Sequence, residues 1–354
     1  MEIFDLARQI GFDLAGISPT RLKSEAFKKY KGWIKEGRAG EMTYLERGVE
    51  RRQSVLKIMP TAKSVICLGV NYYPGKREIV GLKDATAAEA RGQVARYAYG
   101  RDYHKVVEKM LKQFVRELRE RFPGHEFKSY VDTGAVLEKA YAAQAGLGVI
   151  AENTTLITPK FGSWVFLSEI ITDMELGPNE PLKEKLCGKC GSCLEVCPTG
   201  ALMGPGELDA RKCISYLTIE NRGPIPIKLR PLIGNWLYGC DRCQEFCPQN
   251  IQRAQKTHNS ELTQQIGGNS QLLEEILRLR TKEEFDEKFT GSAMKRAKRE
   301  GLVRNACVVA ANVKANRLLP LLQQVATADS SEIVREHAKW AIEQLEDLDI
   351  VNVL

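Results

Sequence analysis

An α/β region, a compact cysteine-rich middle and an all-helical tail are what this sequence predicts. Three observations carry that reading: helix- and strand-period segments alternate up to about residue 180, eight of the ten cysteines crowd between 187 and 247, and strand patterns vanish after Pro248. Alternation at this spacing argues for an α/β sandwich or a doubly wound sheet. The predicted boundaries are 1–180, 181–255 and 256–354.

The segment MEIFDLARQI has helical periodicity, and SVICLGVNYY reads as a buried strand ending at the turn Tyr73-Pro74-Gly75. Tyr103 to Arg121 is long, charged and amphipathic, hence a helix; FKSYV (127–131) then alternates as a strand. Asp132-Thr133-Gly134 breaks the chain, Val136 to Ala145 resumes as helix, and SWVFLSEIIT (163–172) is a strand. Pro178 and Pro181 bracket a linker. From Asn269 onward the chain reads as helical, with segments near 270–290, 301–315, 317–327 and 331–346. The last opens with Asp329 and Glu332 at capping-box spacing and carries Val334, His337, Ala338, Ala341 and Leu345 on one stripe. Paired helices of this size suggest a short stretch of HEAT-like repeats.

The middle region has the most specific spacing. It reads Cys187-x2-Cys190-x2-Cys193-x3-Cys197-Pro198, then Cys213 alone, then Cys240-x2-Cys243-x3-Cys247-Pro248. Three thiolates on a tight turn, with a fourth before proline pointing to a second centre, is the pattern of paired [4Fe–4S] clusters. It assigns Cys187, Cys190, Cys193 and Cys247 to one cluster, and Cys197, Cys213, Cys240 and Cys243 to the other. A long insertion, 214–239, is threaded through the second set. Structural zinc is the rival reading, but zinc sites favour isolated C-x2-C pairs. Disulfides do not suit a start without an apolar leader. Cys67 and Cys307 lie inside apolar runs and read as buried small hydrophobes.

No apolar stretch approaches the ~18 residues of a membrane span, so a cytoplasmic protein with no membrane partner is expected. The net charge is +7, and Gly291 to Pro320 holds seven basic residues against Glu300 alone. A solvated helix face is the ordinary account of charge runs; one-sided basic charge favours a polyanion such as a phosphate backbone.

Two motifs fail in context. Gly146-x-Gly148-x-x-Ala151 has the letters of a dinucleotide loop but follows a helical run instead of a strand. Asp102-x-His104 resembles the start of a cobalt-ligating D-x-H-x-x-G motif, but Val107 stands at the glycine position. His104 opens a helix, where a capping or core role is ordinary. Asp132 ends a strand before a glycine turn, where α/β folds present side chains to a ligand crevice; an N-cap role is the alternative.

These features together resemble the epoxyqueuosine reductase family across essentially the whole chain. The resemblance rests on the paired cluster motif with its insertion, VDTGAVLEKAYAAQAGLG followed by ENTTLI, YGRDYH at 99–104, YLTIENRG at 216–223, and GSAMKRAKREGLVRNACVVAAN in the tail. It implies an α/β cobalamin-binding domain, a ferredoxin-like domain with two [4Fe–4S] clusters, and a HEAT-like domain that grips tRNA. The implied reaction reduces epoxyqueuosine at the tRNA wobble position, with cobalamin recharged through the clusters from a flavodoxin or ferredoxin. Asp132 matches the family's proton donor, and burial against the corrin would raise its pKa. Arg52, Tyr97, Ser215, Tyr216 and Asp241 map to the cobalamin. Arg222, Lys295, Arg296, Lys298, Arg299 and Arg304 are assigned to tRNA phosphates, so replacing Arg296 and Arg304 should flatten the salt dependence of binding. A monomer is expected. The reductive dehalogenases share cobalamin and two clusters but lack the basic tail. A plain ferredoxin-type electron carrier, or an RNA-binding scaffold stapled by its clusters, remains the alternative from a different class.

Overall fold

The computed structural model describes residues 2–76 and 89–351. Helix α1 (Glu2–Ile10) leads into strand β1 (Leu14–Pro19) and, after a long connection, into β2 (Ser64–Asn71). Strand β3 (Arg91–Val94) precedes helix α2 (Tyr103–Arg121), strand β4 (Phe127–Tyr130), helix α3 (Glu138–Gln144) and strand β5 (Val165–Thr172). The cysteine region and its insertion add helix α4 (Ile214–Ile219) and strand β6 (Trp236–Tyr238). Strand β7 (Ser270–Leu272) and helices α5 (Lys298–Asn312), α6 (Leu319–Ala328) and α7 (Glu332–Val351) complete the labelled elements.

The main sheet has the order β1-β2-β5-β4, and every pairing in it is antiparallel. A doubly wound parallel sheet is therefore not what the chain builds, although both faces are covered. All eight residues of β2 are buried. Ile66, Leu68 and Val70 pack with α1 and α2 on one face, against Leu111, Phe114 and Leu118. Val65 and Cys67 pack with Tyr141 and Ala142 of α3 on the other. Period-2 geometry sends successive side chains to opposite faces, so a continuous apolar run is required of a strand covered twice. Each such buried side chain contributes roughly 1.5–3 kcal/mol.

Among the buried residues of this sheet, one is an acid. Glu169 of β5 lies opposite Cys67, is 0% exposed, and neither carboxylate oxygen has a hydrogen-bond partner among the described residues. Burial pushes its carboxyl well up, and the charge of Glu138 adds to that. The folded chain thus holds a proton that the unfolded chain releases near the ordinary value of 4.5, so stability falls as pH rises above it. Glu169→Gln should remove that slope. Its thermal midpoint should exceed the parent's by about 2 °C or more at pH 8 and match it at pH 4.5; equal midpoints at both pH values would show that Glu169 does not titrate with folding.

The three sequence-based boundaries do not survive packing. A second sheet, β6-β3-β7, takes one strand from each part: β3 from the first, β6 from the insertion and β7 from the tail. The tail therefore holds a strand where only helix is expected. The insertion and the tail share one core, in which Ile219, Ile225, Ile233 and Leu237 pack with Leu302, Cys307, Val334 and Ala338. Polar contacts reinforce it: Arg230 Nη2 donates to both Glu336 oxygens at 2.7 and 2.9 Å, and the Ile225 amide donates to His337 Nε2 at 3.0 Å. His337 is 0% exposed, and burial holds its imidazole down near 3, the neutral form this bond needs. Asp329 is part of a buried ion pair with Arg299 instead of a capping box.

Candidate active site

Two short helical turns, Ser192–Glu195 and Arg242–Glu245, pack together and bring the cysteine groups into one region. Ten free cysteines are present, and Cys67 and Cys307 are fully buried in apolar cores as expected. Of the remaining eight, five have raised thiols. Burial pushes the Cys193 thiol up to about 11, with Glu152, Cys187 and Cys190 adding to it; Cys187 is raised by burial and by Glu152, Cys247 and Cys190. Burial raises Cys240 and Cys243, and Cys213 adds to both; Cys197 acts on Cys213 and Cys243. Among the described residues no three ligand-type side chains close on a single metal ion. Of the two sets read from spacing, Cys197, Cys213, Cys240 and Cys243 are termed the inner quartet and Cys187, Cys190, Cys193 and Cys247 the outer. Backbone amides supply the sulfur contacts that iron–sulfur ligation uses: Glu152 N–H donates to Cys187 Sγ at 3.4 Å, Ser215 and Tyr216 donate to Cys213, and Arg242 donates to Cys240. Crowded, raised thiols become thiolates together only around a strongly cationic core, and this donor set fits such a core.

Asp132 follows β4 at φ 55, a left-handed conformation that aspartate tolerates. Its amide donates to Glu138 Oε1 at 2.6 Å, which ties the turn to the start of α3. Burial pushes the Glu138 carboxyl up to about 8, and Asp132 raises it further. The Asp132 carboxylate caps nothing. It accepts the Tyr103 hydroxyl at 2.7 Å and meets His104 Nε2 at 3.0 Å, both on the same oxygen. His104 Nδ1 lies 2.9 Å from Asp102 Oδ1, which also accepts the His104 amide as the cap of α2. Burial favours the neutral imidazole, but the two carboxylates override it and lift His104 to about 9. Burial raises the Asp132 carboxyl, and its bonds to His104 and Tyr103 more than offset this, leaving it below the ordinary carboxylate range. The expected raised pKa at Asp132 is thus reversed in the chain itself: the proton rests on His104. Sequence reading missed that role for His104. The one signal was the Asp102-x-His104 pair, which looked like an ordinary helix start.

The Asp132 side chain is 56% exposed, beside an open hollow lined by Thr133 and Gly134. Tyr103 stacks on Phe166 at 4.2 Å and on His104 at 4.0 Å, and Tyr97 meets Tyr103 edge-on at 6.1 Å. Tyr97 donates to Tyr238 at 3.1 Å and lies against Gly239, the residue before Cys240. A Cβ at Gly239 would sit 2.5 Å from Ala95 and 3.5 Å from Tyr97, so only glycine permits this approach. One aromatic layer therefore separates the Asp132 hollow from the inner cysteine quartet.

A cleft of about 770 Å³ adjoins the turn, lined by Arg47, Arg51, Arg52, Lys57, Tyr44 and Thr133 among others. Arg52 is buried, donates to the Arg47 carbonyl at 3.0 Å and lies over the Tyr30 ring. Arg296 reaches toward the same place from the tail: it pairs with both Glu220 oxygens at 2.9 and 3.0 Å, lies over the Tyr44 ring, and its charge is felt at Asp132. The run Glu46-Arg47 to Arg51-Arg52 was the sequence signal for this second basic edge, and it was passed over.

Several assigned residues lie elsewhere. Arg299 is 7% exposed, ion-paired with Asp329 and bonded to the Leu279 carbonyl, so it cannot meet a phosphate. Arg304 is 1% exposed and fully used by the carbonyls of Leu217, Asn221 and Gly223 and by Asn305. Arg222 spends its guanidinium on the carbonyls of Ala297 and Arg296, although its surface is exposed. Lys295 and Lys298 are exposed, the former beside Asp286. Asp241 is 2% exposed and accepts the Arg96 amide at 2.8 Å and its guanidinium at 3.3 Å, which removes it from any corrin. Tyr216 is buried with its hydroxyl accepting the Glu41 amide at 2.8 Å, a packing role under Gly40. Ser215 is half-buried beside Cys213.

Comparison with known proteins matches residues 186–250 to the family profile "4Fe-4S double cluster binding domain" and residues 52–133 to "Epoxyqueuosine reductase QueG, DUF1730". The chain is 39% identical to an epoxyqueuosine reductase of Pseudomonas aeruginosa over 96% of its own length and 92% of the relative's. A solved epoxyqueuosine reductase with a tRNA-Tyr epoxyqueuosine-modified stem loop superposes with a TM-score of 0.89 at 32% identity, covering 97% of this chain and 89% of that one. Another, from Bacillus subtilis with its catalytic aspartate loop swung out of the active site, gives 0.88 at 32% identity, with coverage of 97% and 89%.

Proposed function

This chain belongs to the epoxyqueuosine reductase family, and from that premise we propose that the Asp132 hollow removes the epoxide oxygen of epoxyqueuosine in tRNA. The enzyme is an oxidoreductase with two [4Fe–4S] clusters, and cobalamin is consistent with its family. The observation that carries the reading is the juxtaposition of an exposed carboxylate, an aromatic layer and the inner cysteine quartet. Cobalamin, when bound, supplies a low-potential cobalt able to attack or reduce a strained ring. Tyr97 and Arg52 are the residues placed to hold it, with Ser215 at the cluster edge; Asp241 and Tyr216 are spent within the protein.

Everything else in the site is done by the chain's own side chains. Asp132 presents a proton to the leaving oxygen, Tyr103 and His104 orient it, and Glu138 fixes the turn that carries it. The wobble nucleotide enters the hollow while phosphates meet Arg47, Arg51, Arg296, Lys295 and Lys298 around its rim, Arg222 bracing the Arg296 backbone. The α/β part would then serve cobalamin, the cysteine part electron transfer, and the helical tail, as a HEAT-like unit fused to the insertion, tRNA. A low-potential donor such as a flavodoxin or ferredoxin would serve the outer quartet, where Cys190 is exposed and Phe246 and Ile251 are 50% and 70% exposed beside Cys247. Among the described residues no helix is long and apolar enough to cross a membrane. A cytoplasmic monomer, in the compartment that holds tRNA, is the simplest setting.

The test is anaerobic turnover: cluster-loaded protein, cobalamin, a low-potential reductant and a stem loop bearing epoxyqueuosine, followed by mass analysis of the nucleosides. Loss of one oxygen mass that requires cobalamin supports the reading. Binding without conversion under any reductant would leave an RNA-binding protein, and no binding would restore the electron-carrier alternative.

A further inference from the structure

Removing an epoxide oxygen as water breaks both C–O bonds, makes a C=C bond, and consumes two electrons and two protons. A low-potential donor supplies the electrons through the clusters. The protons must cross a site whose nearest acid, Asp132, is a carboxylate in the resting chain, because its partner His104 holds the proton instead and its bond to the Tyr103 hydroxyl favours the charged form further. Resting on the function above, we propose that His104, held between Asp102 and Asp132, is the proton store that loads Asp132 for each C–O cleavage.

The geometry is that of a relay with a fixed direction. His104 Nε2 meets Asp132 Oδ2 at 3.0 Å, and Nδ1 points back to Asp102 at 2.9 Å. The ring stacks on Tyr103 with its plane inclined by 30°, and the two carboxylates, one at each nitrogen, fix its orientation. As the substrate oxygen gains negative charge, the Nε2 proton moves to Asp132 and the Asp132 proton moves to oxygen. His104 is left neutral, with Asp102 still charged behind it. It is 35% exposed, so it regains a proton from solvent and repeats the transfer for the second cleavage. His104 does not touch the substrate; it acts through Asp132.

The charges around the ring agree with this role. Asp102 and Asp132 face it directly. Glu138, tied to the Asp132 amide, lies beyond, and Lys105 and Arg296 act on the two aspartates from α2 and from the tail. Tyr103 and Tyr97 are phenols raised by burial, and they stay protonated. With two carboxylates in contact and the cations one step removed, imidazolium is favoured up to about pH 9.

The experiment is a pH series of single-turnover conversion with parent, His104→Gln and Asp102→Asn proteins, all cluster-loaded. Histidine-selective carbon NMR of the same samples gives a readout independent of activity. Glutamine keeps a donor toward Asp132 but cannot titrate. The parent rate should fall as pH rises through about 9. His104→Gln should be slower by about 100-fold and lack that limb. Asp102→Asn should move the limb, and the His104 signal, identified by its loss in His104→Gln, to lower pH. Parent-like rate and limb in His104→Gln, or an unmoved limb in Asp102→Asn, would overturn the relay. Conversion by the parent separates this failure from failure of the function itself, which would show as no queuosine from any of the three proteins.

Discussion

Asp132→Asn should bind the epoxyqueuosine stem loop with unchanged affinity and reduce it 10²- to 10⁴-fold more slowly, the range a positioned general acid contributes. Asparagine tolerates the left-handed φ of 55 that this position requires, so the turn and its amide bond to Glu138 should persist. The substitution also cuts His104 off from the substrate oxygen, so the residual rate should lack the basic limb near pH 9. Cluster absorbance and stem-loop affinity are the controls, and single-turnover rates are the measurement. A rate within tenfold of the parent would remove Asp132 from the chemistry and leave it a structural turn residue.

Arg304→Ala should destabilise the protein by roughly 3–5 kcal/mol, because it strips partners from buried backbone carbonyls and leaves a cavity in the shared core. Arg304 donates to the carbonyls of Leu217, Asn221 and Gly223 at 2.6, 2.9 and 2.7 Å, and burial holds its guanidinium down to about 10. These carbonyls belong to the stretch 217–223, which follows Cys213. Loss of the clamp should therefore lower the denaturation midpoint and hasten loss of the inner cluster. The salt dependence of tRNA binding by the folded fraction should not change. That reverses the expectation from charge counting, in which Arg304 met phosphate. Arg296 is the residue whose replacement should reduce the salt slope, by about 0.7–0.9 for one contact. A flattened slope with unchanged stability in Arg304→Ala would show that the guanidinium leaves its pocket to bind RNA.

The contrast between Arg296 and Arg304 marks where reading the sequence stops. Both stand in one basic window, and composition weights them equally. A buried arginine satisfied by carbonyls and an exposed one aimed at a cleft differ only in which way the helix faces after packing. The window faces several ways: Arg304 staples the insertion to the tail, Arg299 pairs within the tail, and Arg296 acts on Asp132. His104 shows the complementary miss. As a helix-start residue it had no signal of its own, since its meaning comes from Asp132, which arrives from another strand.

Local pattern alone determined a good deal. The helix from Tyr103 to Arg121 begins and ends where its periodicity does, because a 19-residue amphipathic stretch with an aspartate cap is specified by its own backbone and faces. The double-cluster domain follows from cysteine spacing, because closely spaced thiols on a tight turn are a local feature that the remainder of the fold does not alter. Asp132 could be singled out because a strand followed by a glycine turn places its last side chain at an edge. The tertiary structure decided the rest: antiparallel order in the main sheet, a small sheet borrowing strands from three regions, and an insertion welded to the tail. It also decided the protonation of the site. A proton's position depends on the sum of burial and neighbouring charge within a few ångströms, and the neighbours of Asp132 lie about 30 residues away along the chain on another element. Sequence records which groups are present; only folding sets the distances at which they act on one another.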